Sequence, residues 1–281
     1  NNGIAYKKNQ RIFKFTKMKK YFVIGIPINH SLSPKLHNYW LKQNNINAVY
    51  EKIKLEENEI QNFFFKIKKQ EIDGCNVTVP FKKTVIPFLD KLSLEAERTQ
   101  SVNTICFHNN ELVGYNTDIG GFQKAINSLN YKVKDKKILI LGAGGVVPSI
   151  IYALNEMEVS KITVSNRTYK KAENLKFQFN KINIVNWGEV PDFDMIINAT
   201  SLGLNNETIN LNTSNIGDGK FFYDVIYNPG ETNFLKWGKK LRHQIENGKL
   251  MFVYQAFEAF KLWHNIEPSI NNEVLNLLNN D

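Results

Sequence analysis

Two cysteines in 281 residues, Cys75 and Cys106, are too few and too scattered for a disulfide framework or a zinc site. Both sit in apolar, strand-like surroundings (DGCNVTV and NTICF), so they are expected as buried thiols in a reducing compartment. The five histidines (His30, His37, His108, His243 and His264) show no ligand spacing such as H-E-x-x-H, which disfavours a metal enzyme. No apolar run approaches the ~20 residues needed to span a bilayer, so no membrane association is expected. Internal repeats and low-complexity tracts are absent beyond one basic tail. Residues 1–20 lack any acid and hold seven bases, Lys7, Lys8, Arg11, Lys14, Lys17, Lys19 and Lys20. Outside that tail 29 bases meet 27 acids, so the net charge of +9 belongs to the tail and not to a nucleic-acid-binding face. The tail also lacks the apolar centre of a secretory signal. Met18, followed by KKYFVIGIP, reads as a natural start. Residues 1–17 are then upstream translation, an expression remnant or part of a transit peptide. The expected location is the cytoplasm, with organellar import through the tail left open.

What is present is a stretch around which the chain is organised, Lys136 to Ser149 (KKILILGAGGVVPS). Four apolar β-formers, Ile138 to Leu141, lead into a sharp turn on Gly142, Ala143, Gly144 and Gly145. A helix-spaced apolar segment follows. This order puts backbone N–H groups and a helix N-terminus where a pyrophosphate can sit. The turn departs from G-x-G-x-x-G at Val147, and Pro148 suits a first helical turn.

Upstream, YFVIGIP (21–27) reads as a buried strand. SLSPKLHNYWL reads as a helix capped by Ser33, with Pro34 at its first position; capping leaves Ser31 unexplained. AVYEKIKL (48–55) is a strand, EENEIQNFFFKIKK a helix, and DGCNVTVPFK (73–82) a third strand entering a proline turn. FKKTVIPFLDKL follows as a helix or helical turn with Lys82 near its start. SVNTICFHNNELVGYNTD (101–118) predicts a hairpin turning on His108-Asn109-Asn110. After Asp118 a glycine-bearing bend and a helix are expected. Downstream of the glycine turn come the strands KITVSNRT (161–168), DMIINATSLGL (194–204) and FFYDVIYNPGET (221–232). Helices are predicted from about Tyr169, through Lys236 to Ile245, and from Met251. Strands alternating with helices indicate parallel α/β architecture.

The second strand after a dinucleotide turn ends in Asp or Glu when a ribose 2′-hydroxyl is to be held. Here the place, 24 residues after Gly142, reads Asn166-Arg167-Thr168, with Lys171 nearby. No carboxylate repels a 2′-phosphate, and a guanidinium grips one in bidentate fashion, which favours NADP over NAD.

Taken together, nine pieces in order identify a resemblance over Tyr21 to Trp263. They are Ser31-Leu-Ser33-Pro34, Asn76-Val-Thr78-Val-Pro80-Phe-Lys82, Val102-Asn103-Thr104, Asn116-Thr117-Asp118 and the Gly142 turn. Asn166-Arg167-Thr168, Asn198-Ala-Thr200-Ser201-Leu-Gly203, Asp224 through Tyr227 to Thr232, and Gly248 through Met251 to Gln255-Ala256 complete the set. The chain resembles the shikimate dehydrogenase family. The resemblance implies reversible NADPH-dependent reduction of 3-dehydroshikimate to shikimate in aromatic biosynthesis. By the same resemblance Lys82 and Asp118 form the catalytic pair, with Lys82 as acid/base and Asp118 orienting it. Thr78, Asn103 and Gln255 would bind ring hydroxyls, and Ser31, Ser33 and Tyr227 the carboxylate. Gly142, Ala143, Gly144, Gly145, Asn166, Arg167, Thr168, Lys171, Thr200, Gly203, Gly248 and Met251 would line the NADP site. Met251 equally suits core packing.

Three departures stand out from the family's pattern: Val146-Val147-Pro148 after the turn, Ile119 where glycine is common, and Lys171 where a second arginine is common. The rival readings are a quinate/shikimate enzyme of mixed cofactor use and a silent, cofactor-binding regulatory homologue. A methylenetetrahydrofolate-type dehydrogenase would lack the NVTVPFK and NTD arrangement. The expected fold is two α/β domains with the active site in the cleft between them. Residues 18–118 plus 250–281 would form the substrate domain, and 119–249 a Rossmann-type NADP domain. A small-molecule substrate and a monomer or homodimer are expected.

Overall fold

A computed structural model describes residues 17–211 and 216–279. The basic tail thus lies, up to residue 16, outside the described residues. Among them no helix is long and apolar enough to cross a membrane.

The chain builds two six-stranded sheets. The first contains β1 (Lys19–Ile24), β2 (Ala48–Ile53), β3 (Gly74–Val77), β4 (Lys91–Leu92), β5 (Thr104–His108) and β6 (Glu111–Tyr115), in the order β2-β1-β3-β5-β6-β4. β1 pairs in parallel with β2 and β3, while β5 runs antiparallel to both β3 and β6. The carboxyl ends of β1, β3 and β6 and the start of β5 therefore share one edge. The second sheet contains β7 (Lys137–Leu141), β8 (Lys161–Ser165), β9 (Asn183–Val185), β10 (Met195–Asn198), β11 (Phe221–Asp224) and β12 (Gln244–Glu246). Its order is β12-β11-β10-β7-β8-β9 and every pair is parallel. The winding direction reverses between β7 and β10, and such a reversal opens a crevice at the strand ends.

Nine helices accompany the described strands: α1 (Ser33–Gln43), α2 (Ile60–Lys68), α3 (Leu94–Thr99), α4 (Thr117–Ser128), α5 (Val147–Glu156), α6 (Tyr169–Gln178), α7 (Asn233–Lys240), α8 (Lys249–His264) and α9 (Asn272–Leu277). α4 and α8 pack tightly where a Cβ on Gly121 would lie 2.8 Å from Gln255 Cβ and 3.0 Å from the Met251 carbonyl oxygen. α8 serves both sheets. Met251 packs into the core around β7 and α5, while Val253, Ala256 and Phe260 pack beside β1 and α1.

Several local expectations change. The N-cap of α1 is Leu32, and Ser33 is its first residue; the Ser33 N–H donates to Ser31 Oγ at 3.3 Å, so Ser31 supplies the oxygen that capping required. The hairpin turns on Asn109 and Asn110 alone, both at positive φ, and His108 pairs with Glu111 inside the ladder. Asparagine tolerates that left-handed backbone, which a two-residue hairpin turn of this kind needs. No bend follows Asp118. Asn116 caps α4 through Asp118 N–H, and the helix runs straight through Gly120 and Gly121, whose missing side chains serve the α8 contact. The helix expected to reach Ile245 stops at Lys240, because Arg242 takes a positive φ and Gln244 to Glu246 join the sheet edge. β4, β9 and α3 are two to six residues long, too short to carry a periodic signal.

Beneath α1, His37 is fully buried, stacked on Tyr50 at 4.2 Å, and its Nε2 has no hydrogen-bond partner among the described residues. Burial pushes its pKa from 6.5 down to about 3, with His264 adding to the effect. The unfolded chain takes up that proton near pH 6.5, whereas the folded chain does not until about pH 3. Stability present above pH 6.5 is thus lost as the pH falls through this window. The urea midpoint should fall between neutral and mildly acid buffer. His37→Phe should flatten that fall and cost little at neutral pH, since it removes an unpaired buried nitrogen.

Candidate active site

The shared edge of the first sheet collects the polar groups. Lys82 lies in the turn after β3, Asn103 just before β5, and Asp118 in the first turn of α4 after β6. Lys82 Nζ donates to Asp118 Oδ2 at 2.5 Å, with side chains only 12% and 8% exposed. Asp118 Oδ1 accepts from Asn103 Nδ2 at 3.0 Å, so both carboxylate oxygens are held. The helix N-terminus adds a favourable dipole for this carboxylate. Asn103 is itself locked: its Oδ1 accepts from the Thr117 N–H at 2.7 Å, and its Nδ2 also reaches Thr117 Oγ1 at 2.9 Å and Gln255 Oε1 at 3.5 Å. Below it, Asn76 Nδ2 donates to the Asn103 carbonyl and to Thr104 Oγ1.

Beside this group stands the loop after β1. Ser31 is half-buried and Ser33 buried. Tyr227 stacks on Phe252 at 4.6 Å, with its hydroxyl near the Leu32 backbone. Burial pushes that hydroxyl up to about 12, which keeps it a neutral donor at physiological pH. Thr78 follows β3 with its methyl group against Gly25. Gln255, on α8, bonds the Phe252 carbonyl through Nε2 at 2.8 Å and so turns its oxygen toward Asn103. The buried thiols of Cys75 and Cys106 are both raised by desolvation and take no part.

The glycine turn faces the same place from the second sheet. A Cβ on Gly145 would lie 3.8 Å from Lys82 Cδ, and Ser101 Oγ donates to the Gly145 carbonyl at 3.2 Å. Gly142 has φ +112, and a side chain there would meet the Ala199 carbonyl oxygen at 2.8 Å. Gly144 faces open space, and α5 starts without a side-chain cap. Backbone N–H groups at such an end suit a phosphate. A buried network holds the neighbouring loop. Asn198 bonds Asp224 and Thr200, and Thr232 Oγ1 donates to Asp224 Oδ2 at 2.6 Å. Burial raises the Asp224 pKa against those hydrogen bonds. Gly203 has φ +118 against Thr232, and a Cβ on Gly248 would overlap the Val225 carbonyl at 2.0 Å.

Residues 23–105 match the shikimate dehydrogenase substrate binding domain, and residues 123–218 match the shikimate / quinate 5-dehydrogenase family. A shikimate dehydrogenase (NADP(+)) of Pelagibacter ubique is 58% identical over 93% of this chain and 99% of its own. The chain belongs to the shikimate dehydrogenase family. A shikimate dehydrogenase of Aquifex aeolicus is similar in structure at TM-score 0.83 and 36% identity, covering 92% of this chain and 96% of its own. One from Thermus thermophilus, solved in complex with NADP(H) and shikimate, reaches TM-score 0.83 at 29% identity, covering 90% and 95%.

Within this shikimate dehydrogenase framework, Lys82, Asp118, Asn103 and Gln255 form one hydrogen-bonded group, and Ser31, Ser33 and Tyr227 gather beside the Leu32 backbone. Arg167, Thr168 and Lys171 are exposed beyond β8, with Asn166 Nδ2 bonding the Thr168 carbonyl at 2.8 Å. Met251 is buried in the core, as packing alone would require. Asn76, Thr104, Thr117 and Ser101 had been given no role from sequence. Their signal was polar residues inside apolar strands or beside them, which needs a partner to be interpretable. Alanine at Gly142 should cost about 2 kcal/mol, from the left-handed backbone and the Ala199 contact, whereas Gly144→Ala should shift the thermal midpoint little.

Proposed function

We propose that this chain reduces 3-dehydroshikimate reversibly to shikimate with NADPH. The carrying observation is the buried Lys82–Asp118 pair, 2.5 Å apart and directly beneath the glycine turn. NADPH supplies the hydride when bound. Hydride arriving at a ketone carbon leaves charge on oxygen, which must take a proton. Lys82 Nζ delivers that proton in reduction and withdraws it in oxidation. Asp118 keeps Nζ aimed and, through its oxygens, holds a neighbouring ring hydroxyl. Asn103, Gln255 and Thr78 read the ring hydroxyls, and their fixed polar groups reject analogues that leave one unpaired. Ser31, Ser33 and the neutral Tyr227 hydroxyl hold the carboxylate.

For the cofactor, the open space at Gly144 and the uncapped start of α5 fit a pyrophosphate held by Gly142, Ala143, Gly144 and Gly145. Arg167, with Asn166, Thr168 and Lys171, takes the 2′-phosphate. Thr200, Gly203, Gly248 and Met251 line the far side. The reading divides the chain into a substrate domain of residues 18–118 plus 250–281 and an NADP domain of residues 119–249. It also implies a small cytoplasmic enzyme, a monomer or homodimer. The buried free thiols accord with a reducing compartment.

The deciding assay offers shikimate and quinate in parallel with NADP⁺ or NAD⁺ and follows reduced nicotinamide by absorbance. Turnover should be fastest with shikimate and NADP⁺; folded protein inactive with every pair would refute the proposal. Lys82→Ala should lower kcat by about 10²–10⁴-fold while NADPH still binds as before. Unchanged turnover would remove Lys82 from the chemistry. Arg167→Gln should raise KM for NADP⁺ by about tenfold and leave KM for NAD⁺ nearly unchanged, since only the former carries the 2′-phosphate.

A further inference from the structure

One buried tyrosine links the two halves of the proposed substrate site without facing the crevice chemistry itself. Tyr50, on β2, is 1% exposed. Its side chain reaches across β1 to β3, where its hydroxyl donates to Asn76 Oδ1 at 2.6 Å. The Asn76 amide has only one orientation open to it. Its Nδ2 donates to the Asn103 carbonyl at 3.1 Å and to Thr104 Oγ1 at 3.0 Å, so the oxygen must face Tyr50. Thr104 Oγ1 in turn bonds Asn103 Oδ1 at 3.1 Å. Asn103 Nδ2 ends the series on Asp118.

The other end of Tyr50 is tied to α1. Asn38 accepts the Tyr50 N–H at 2.9 Å and donates to its carbonyl at 2.7 Å, a two-way clamp on one residue. Five residues earlier the same helix begins at Ser33. The ring between these ends cannot swing. It lies parallel to His37 within 3° and is flanked by Trp263.

We propose that Tyr50 is a positioning residue of the substrate site. It sets the distance and angle between the loop carrying Ser31 and Ser33 and the Asn103–Asp118–Lys82 group. This inference rests on the proposed function. A ring substrate that touches both groups at once requires them at a fixed separation, because misplaced contacts forfeit the advantage of orientation. Tyr50 is the residue tied to both, through its hydroxyl on Asn76 on one side and through the Asn38 clamp on α1 on the other.

Tyr50→Phe keeps the ring, its stack on His37 and the Asn38 clamp, and removes the hydroxyl alone. It leaves Asn76 Oδ1 buried without a donor, and KM for shikimate should rise about tenfold. KM for NADP⁺ should stay within about twofold, since no atom of the glycine turn is touched. In an Asn103→Ala background the same change should lose most of its effect on KM, as expected for residues acting through one another. A Tyr50→Phe enzyme with unchanged KM for shikimate would overturn the proposal. So would an equal rise in both KM values, or a full effect persisting beside Asn103→Ala. If Tyr50→Phe does not fold, Asn76→Ser, too short to span Tyr50 and Asn103, should show the same selective rise; no rise would overturn it. The Lys82→Ala result separates the two claims. Loss of kcat there with no Tyr50 effect removes only this inference, whereas retained kcat removes the active-site reading beneath it.

Discussion

The ion pair of Lys82 and Asp118 is the constraint on which the site depends. Two charges withdrawn from water are costly, and their attraction offsets that cost only when the remaining lone pairs and protons are also satisfied. Here the geometry meets that condition. Asp118 has Lys82 on one oxygen and Asn103 on the other, and it sits in the first turn of α4, where the helix dipole favours an anion. Asn103 must then be rigid, and its side-chain bonds with Thr117, Thr104 and Gln255 make it so. The buried polar residues at this sheet edge follow from holding one carboxylate in place.

The same constraint explains the mixed first sheet. An all-parallel sheet would bring only strand ends to the edge, each followed by a long crossover. Because β5 runs antiparallel to β3 and β6, its beginning joins their ends. Asn103, Thr117 and Asp118 can then meet within 15 residues of chain, on a tight asparagine turn. The second sheet answers with the opposite design. Its strands are parallel throughout, so the reversal between β7 and β10 leaves a crevice at their carboxyl ends, and the glycine turn opens into it. The close approach at Gly121 brings α4 against α8, a helix that contributes to both cores.

Much of this was legible in the sequence, for reasons that differ by element. The strand, glycine turn and helix from Lys136 to Ser149 announce themselves because an unusual backbone needs glycine, and the structure requires it at Gly142. The hairpin is legible from its strands, and only its turn is one residue narrower than the sequence suggests. Other features depended on partners far away in the chain. Nothing local to Gly120 and Gly121 distinguishes a bend from a helix contact, because the deciding atoms belong to Gln255 and Met251. Ser33, read as the cap, is instead the first residue of α1 with Pro34 second, and it is Ser31 Oγ that accepts the Ser33 N–H. The edge strands β4, β9 and β12 are too short for periodicity and exist by pairing with neighbours.

The two ligand regions also differ in how their residues are supported, and this bears on how substitutions combine. Arg167, on the loop after β8, and Lys171, in the first turn of α6, are exposed side chains outside the buried network described above. In the role proposed for them at the 2′-phosphate, their contributions should be nearly additive with changes elsewhere. Asn103, Asn76, Thr104, Thr117 and Asp118 are buried and share atoms as partners, so removing one leaves the others unsatisfied. Changes there should combine non-additively, since the first disruption already incurs much of the cost of the second. Arg167 and Lys171 can therefore be altered one at a time, whereas the polar group around Asn103 has to change together or not at all.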